Sequence, residues 1–286
     1  MKKTLLLFLG LVVGLTTEAQ EQKVKTPAPS PKAVSQQTVG LTNFELVYSR
    51  PSLRGRDMHK ELVPFGKMWR FGANENTTIS FDTEIVFGEK NVEPGTYSIF
   101  ATPEEGAWTV ILYSETNNWG VPRKFNKKSV VAEVKAPVKK LSDKIETFTI
   151  DFVNLQTNQF ELQIAWENTL LTIPVEVPTA ELTEASIKEV IEGGEASQID
   201  YYRAASYYSL ENINLEDALL YADKAIELQG DKVPAYYVYN KAVILKQLGK
   251  KEEAIKTAVL CIEIAKKQNF DSYVKRGEEL IKELSK

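Results

Sequence analysis

The spacing of apolar residues changes once along this chain, and that change constrains the fold more than any single motif. Up to about Pro178 the apolar residues recur at every second position. Beyond it they recur at every third or fourth. Phe160, Leu162, Ile164 and Trp166 alternate with Glu161, Gln163 and Ala165, and Ile79/Phe81, Ile85/Phe87 and Ile173/Val175/Val177 repeat the pattern. A period of two buries one face of a strand and wets the other. Leu182, Ile187, Val190 and Ile191 instead share one side of a helix that Gly193-Gly194 ends. Two cores of different construction are expected, with a boundary near Pro178.

Residue usage shifts at the same place. Eleven of the twelve prolines lie at or before Pro178, as do Trp69, Trp108, Trp119 and Trp166, whereas nine of the twelve tyrosines follow it. Further strands are expected over Thr96–Ala101, Trp108–Tyr113, Val130–Lys135 and Ile145–Val153. Pro94-Gly95 suits a type II turn, with glycine at the positive-φ position. Many short strands with frequent turns imply an antiparallel β-sandwich or open barrel over residues 38–178. The long segment from Arg50 to Asn76 interrupts the pattern and is expected to cover one end of that unit.

Residues 179–286 are expected to be helical. Ser197 and Asp200 form an N-terminal capping pattern, and Gly249 stands where a helix end needs left-handed backbone. Tyr202, Ser206, Ala218, Ala222 and Ala225 align with Val238, Ala242, Ala254, Ala258 and Cys261 at an offset of 36 residues. Small residues at those places let antiparallel helices approach closely. The pattern resembles the tetratricopeptide repeat, whose period is about 34 residues, from about Ser197 to Gln268 with a last helix from Asp271. The usual tryptophan and closing proline of that repeat are missing.

The N-terminus reads as an export signal. Lys2 and Lys3 precede an apolar run, Leu5 to Leu15, and Thr17-Glu18-Ala19 places small residues at a cleavage site. The run is shorter than the roughly 20 residues a membrane helix needs. A signal peptide over 1–19, a proline-bearing linker over 20–37 and a mature chain with no membrane span are expected. That puts the protein in the periplasm or outside the cell.

Composition excludes some chemistry. A formal net charge of −4 offers no basic excess for a phosphate backbone, so nucleic acid is not an expected partner. One cysteine, Cys261, and one histidine, His59, allow neither an internal disulfide nor a His/Cys zinc site. No phosphate loop, dinucleotide fingerprint, acidic calcium loop or nucleophile elbow is present. No cofactor, metal site or catalytic residue is assigned.

Two segments carry candidate binding chemistry. The first groups Arg50, Arg54, Arg56, Trp69, Arg70, Asn74, Glu75 and Thr77. Arginine presents a planar fork of donors suited to carboxylate, sulfate or phosphate, and tryptophan a flat apolar face. Together they could take a small acidic or sugar ligand. The competing reading is structural: the arginines pin a long loop to the sandwich and Trp69 plugs its core. The second candidate is a partner-binding face on the helices, with Tyr202, Arg203, Tyr236, Tyr239 and Asn240 facing a protein or peptide. The competing reading there is inter-helix packing.

The runs Ser49-Arg50-Pro51-Ser52-Leu53-Arg54-Gly55-Arg56 and Pro64-Phe65-Gly66-Lys67-Met68-Trp69-Arg70-Phe71-Gly72-Ala73-Asn74-Glu75-Asn76-Thr77 are long and specific. With Pro94-Gly95-Thr96-Tyr97-Ser98 and Ala165-Trp166-Glu167-Asn168 they resemble a bacterial family catalogued as domain of unknown function 2911. The resemblance spans about Val39 to Val177. It implies an exported protein of the Bacteroidota, with a helical repeat tail as a familiar companion, and it implies no reaction. The expected function is that of a non-enzymatic cell-envelope binding protein. Its β unit would dock or hold a small or glycan-like ligand, and its repeats would grip a protein. The alternative is an envelope carbohydrate-active enzyme working through the Arg50–Thr77 cluster, for which Glu75 and Glu167 are the suggestive carboxylates.

Overall fold

The computed structural model describes residues 25–286. The signal-peptide reading of residues 1–19 lies outside them. Ten antiparallel strands form two sheets, and six α-helices follow. The first sheet has the order β1-β2-β3-β6-β7-β8 and the second β5-β4-β10-β9. The strands are β1 (Lys32–Val39), β2 (Thr42–Ser49), β3 (Thr78–Phe81), β4 (Ile85–Phe87), β5 (Lys90–Val92), β6 (Gly95–Pro103), β7 (Ala107–Tyr113), β8 (Val130–Pro137), β9 (Lys139–Val153) and β10 (Gln159–Glu176). The two sheets pack face to face and the barrel does not close. The core between them is built from the alternating residues of each: Phe44, Leu46 and Tyr48 of β2, Trp108, Val110 and Leu112 of β7, and Leu162, Ile164 and Trp166 of β10.

Several local expectations change. Residues 32–37, read from the sequence as the end of a linker, lie in β1. The pieces around Phe160 and Ile173 are one 18-residue strand, bent where the β9 pairing shifts on both sides of Glu167. Glu167 takes a φ of 52°, which frees the strand to bulge there without ending. Gly95 does not adopt the positive φ of a type II turn. It opens β6, where the Tyr97 hydroxyl would lie 3.3 Å from an added Cβ.

The helices are α1 (Thr179–Glu192), α2 (Gln198–Glu211), α3 (Leu215–Gln229), α4 (Ala235–Gln247), α5 (Lys251–Lys267) and α6 (Asp271–Leu284). α2 pairs with α3, α4 with α5, and α5 with α6, while α4 lies between α2 and α6 and touches both. The 36-residue repeat maps onto the tightest contacts. Ala218, Ala222 and Ala225 of α3 and Ala254, Ala258 and Cys261 of α5 are all buried. At the start of α2 the Asp200 carboxylate accepts from the Ser197 N–H (2.9 Å) and hydroxyl (2.5 Å). Gly249 takes a φ of 75° after α4. No helix among the described residues is long and apolar enough to cross a membrane.

Candidate functional site

The segment that leaves β2 at Ser49 runs along β9, the outer strand of the second sheet. An edge strand presents unpaired backbone groups and needs a cover. Here the cover is the Ser49–Arg56 run itself. Phe148 donates its N–H to the Pro51 carbonyl (2.9 Å), Leu53 donates to the Glu146 carbonyl (2.9 Å), and Ser52 bridges to Thr147. The Tyr48 hydroxyl donates to the Ile150 carbonyl and accepts from the Ile150 N–H, both at 3.1 Å. Alternate residues of β9 are thereby satisfied from outside the sheet.

The arginines belong to that cover. Arg50 donates to the Phe148 carbonyl (3.1 Å) and to the Thr149 hydroxyl (2.6 Å). Arg54 donates to the Pro29 carbonyl (2.6 Å), and its own N–H to the Glu146 carboxylate (2.7 Å). Arg56 donates to the Leu53 and Ser52 carbonyls. Arg70 donates to the Asn74 carbonyl (2.8 Å) and lies against Gly120. Asn74 donates to the Ser30 carbonyl and the Ser49 hydroxyl, and Thr77 donates to the Phe71 carbonyl. Glu75 is exposed. Trp69 pairs by backbone with Ala101 and lies between aromatic neighbours, stacked on Trp166 at 5.6 Å and edge-on to Phe148 at 5.0 Å. None of the five main cavities is lined by any of these eight residues. The geometry is that of a loop pinned to a sandwich, the competing reading of the cluster.

Two other side chains, Glu167 and His59, are also occupied. Glu167 forms an ion pair with Lys144 (3.2 Å). His59 lies in the one-turn helix Met58–Leu62, stacked on Phe65 at 3.9 Å with Nδ1 3.1 Å from the Val63 carbonyl oxygen. Among the described residues, no group of three or more His, Cys, Asp or Glu side chains is placed to hold a metal ion.

A family model described as "Protein of unknown function (DUF2911)" matches residues 30–175. The chain belongs to the DUF2911 family. The match begins just before β1 and ends at the last residues of β10, so the family unit is the sandwich together with the cover on its β9 edge. No curated protein and no solved structure matches the chain.

Outside the DUF2911 unit, the helices carry an array of tyrosines in mutual contact. On α2, α4 and α6 the tyrosines form a continuous band. Tyr202 stacks flat on Tyr237 (4.3 Å, 2°) and meets Tyr236 edge-on at 5.2 Å; Tyr236 and Tyr239 both reach Tyr273, at 6.2 and 5.6 Å. Arg276 sits over the Tyr273 ring at 5.0 Å. Tyr202, Tyr236, Tyr239 and Tyr273 are half-buried, whereas Tyr237 is buried. Burial pushes the Tyr237 and Tyr273 hydroxyls above their ordinary titration range, although Arg276 opposes the rise at Tyr273. The structure therefore brings Tyr202, Tyr236 and Tyr239 together. Arg203, whose charge opposes the rise at Tyr237, also lines a cavity between α1 and α2. The Asn240 Oδ1 atom is buried and has no hydrogen-bond partner. Tyr273 was legible in principle: the 36-residue offset that links the two hairpins carries Tyr201 to Tyr237 and Tyr237 to Tyr273.

Proposed function

We propose that this protein is an exported, non-enzymatic binding protein of the cell envelope, whose tetratricopeptide-like helices hold a protein partner through the tyrosine band. The observation that carries this reading is the run of half-buried rings across three successive helices of one layer, with a cation at its end. Tyrosines held by their neighbours lose little entropy on binding and offer both an apolar face and a hydroxyl. Such aromatic anchors dominate many interfaces. The sandwich serves as the rigid support of this arrangement, since Arg50, Arg54, Arg56 and Arg70 are spent on backbone carbonyls.

The test compares the full chain with the variant Tyr236→Ser/Tyr239→Ser as bait in native envelope extract, after both show the same helical circular dichroism. Partners retained by the full chain and lost by the variant support the reading. Identical capture by both proteins would overturn it.

A further inference from the structure

Where the first helix leaves the sandwich, α1 and α2 splay apart and leave a cavity of about 510 Å³. That volume falls within the range of small-molecule sites, roughly 300–1,000 Å³. Its walls come from three directions. α1 contributes Ile187, Val190 and Ile191, α2 contributes Ala204 and Tyr207, and the β1–β2 turn contributes Leu41. The end nearest the sandwich is closed by Thr157 and Thr179, whose hydroxyl donates to the Thr157 carbonyl at 2.6 Å. Gly40 lies so close to Thr179 there that a Cβ would meet its Oγ1 at 1.8 Å. The floor is thus fixed.

Two side chains, Arg203 and Asp200, bring charge into the mostly apolar lining. Arg203 is exposed on the cavity wall and donates no hydrogen bond among the described residues, and its charge helps hold the Asp200 carboxylate below its ordinary range without direct contact. Asp200, on the same wall, accepts both Ser197 bonds on its Oδ2 atom. A guanidinium matches a carboxylate, and the fixed charge of Asp200 disfavours an anion carrying more than one negative charge. From Thr183 to Ile191 the α1 wall runs about 12 Å at the helical rise of 1.5 Å per residue. That is the reach of a hydrocarbon chain of about ten carbons, with C–C bonds of roughly 1.5 Å.

We infer that this cavity binds a free monocarboxylic acid with an unbranched apolar chain, its carboxylate on Arg203 and its chain between α1 and α2. The site is separate from the tyrosine band, so the inference does not rest on the partner reading. The test is isothermal titration of the full chain with decanoate below its micellar concentration, with decylammonium as the matched cation. One saturable site for decanoate is expected, with no comparable binding of decylammonium. Arg203→Gln, an exposed change that leaves the fold alone, weakens decanoate binding about tenfold or more, as loss of a charged hydrogen bond should. Ser186→Trp, at an exposed position on the α1 wall, fills the cavity and abolishes binding. Tyr236→Ser leaves it unchanged. Absence of saturable binding, equal binding of decylammonium, or unaltered affinity in Arg203→Gln or Ser186→Trp would each overturn the assignment.

Discussion

Tyr48→Phe removes one oxygen atom and tests how the two sheets are joined. The Tyr48 hydroxyl is both donor to and acceptor from Ile150, across a sequence separation of 102 residues. Tyr48 and Ile150 are buried, at 4% and 1% exposure, so water cannot replace the missing group without opening the core. Phenylalanine preserves the ring, including its edge-on contact with Phe148. The cost is then that of two orphaned backbone groups. An unsatisfied buried donor or acceptor costs about 1–3 kcal/mol. Both bonds are long at 3.1 Å, so the lower half of that range applies, giving about 2–4 kcal/mol in total. For a unit of this size that lowers Tm by roughly 6–12 °C. Urea unfolding followed by tryptophan fluorescence isolates the effect, because all four tryptophans precede Pro178. The control is Tyr113→Phe, whose hydroxyl accepts only from the N–H of exposed Asn126 (3.2 Å) and whose loss costs less than about 1 kcal/mol. A loss below about 0.5 kcal/mol in Tyr48→Phe, with an unchanged denaturant slope, would refute the reasoning.

Further outcomes follow from other contacts. Gly120→Ala places a methyl 3.0 Å from the Arg70 guanidinium at a φ of 95°, and a loss of about 1–3 kcal/mol is expected in the same urea assay. Gly277→Val drives its side chain into Ile262, which a bare Cβ already meets at 2.6 Å, so α6 should detach and show faster amide exchange while α2 and α3 keep their protection. Asp200 is held below the ordinary carboxylate range, first by the Ser197 hydroxyl and then by its N–H. Its contribution is present above the unfolded value of 3.8 and fades as pH falls through the lower folded value, so Asp200→Ala should cost about 1 kcal/mol near neutrality, with the gap closing in acid. Burial pushes the Cys261 thiol from 9.0 up to about 11. A thiol reagent at about pH 8 should react only as fast as the helices open, and helical stability should fall as pH rises between those two values, because the unfolded thiol loses its proton first.

The architecture was legible where burial is one-sided. β10 and β7 alternate because one face meets the other sheet, and α3 and α5 show their small residues because the helices pack there. β1 was hidden for the opposite reason. It is an edge strand whose residues Lys32–Thr38 are exposed or half-exposed on both faces, so its Gln and Ser content looks like a tether. The Arg50–Thr77 cluster could be found as a cluster, but its partners could not be named: Arg50 bonds to residues 98 and 99 positions away. Only the closed sandwich shows that those donors face backbone carbonyls. The tyrosine band was half legible. Spacing placed Tyr202, Tyr236 and Tyr239 on neighbouring helices, while the position of Arg203 depends on how α1 lies against α2, which no periodicity encodes.

The cover on β9 also governs when the sandwich can form. Its bonds join residues 48–54 to residues 146–150, so none of them exists until the chain has been made past its middle. Contacts of such long sequence separation slow folding, whereas the hairpins α2–α3 and α4–α5 close through neighbours. A ribosome releasing this protein from its N-terminus therefore presents the sandwich half first and completes it late. The first sheet waits, with β2 unsealed, for a strand that arrives about a hundred residues behind it.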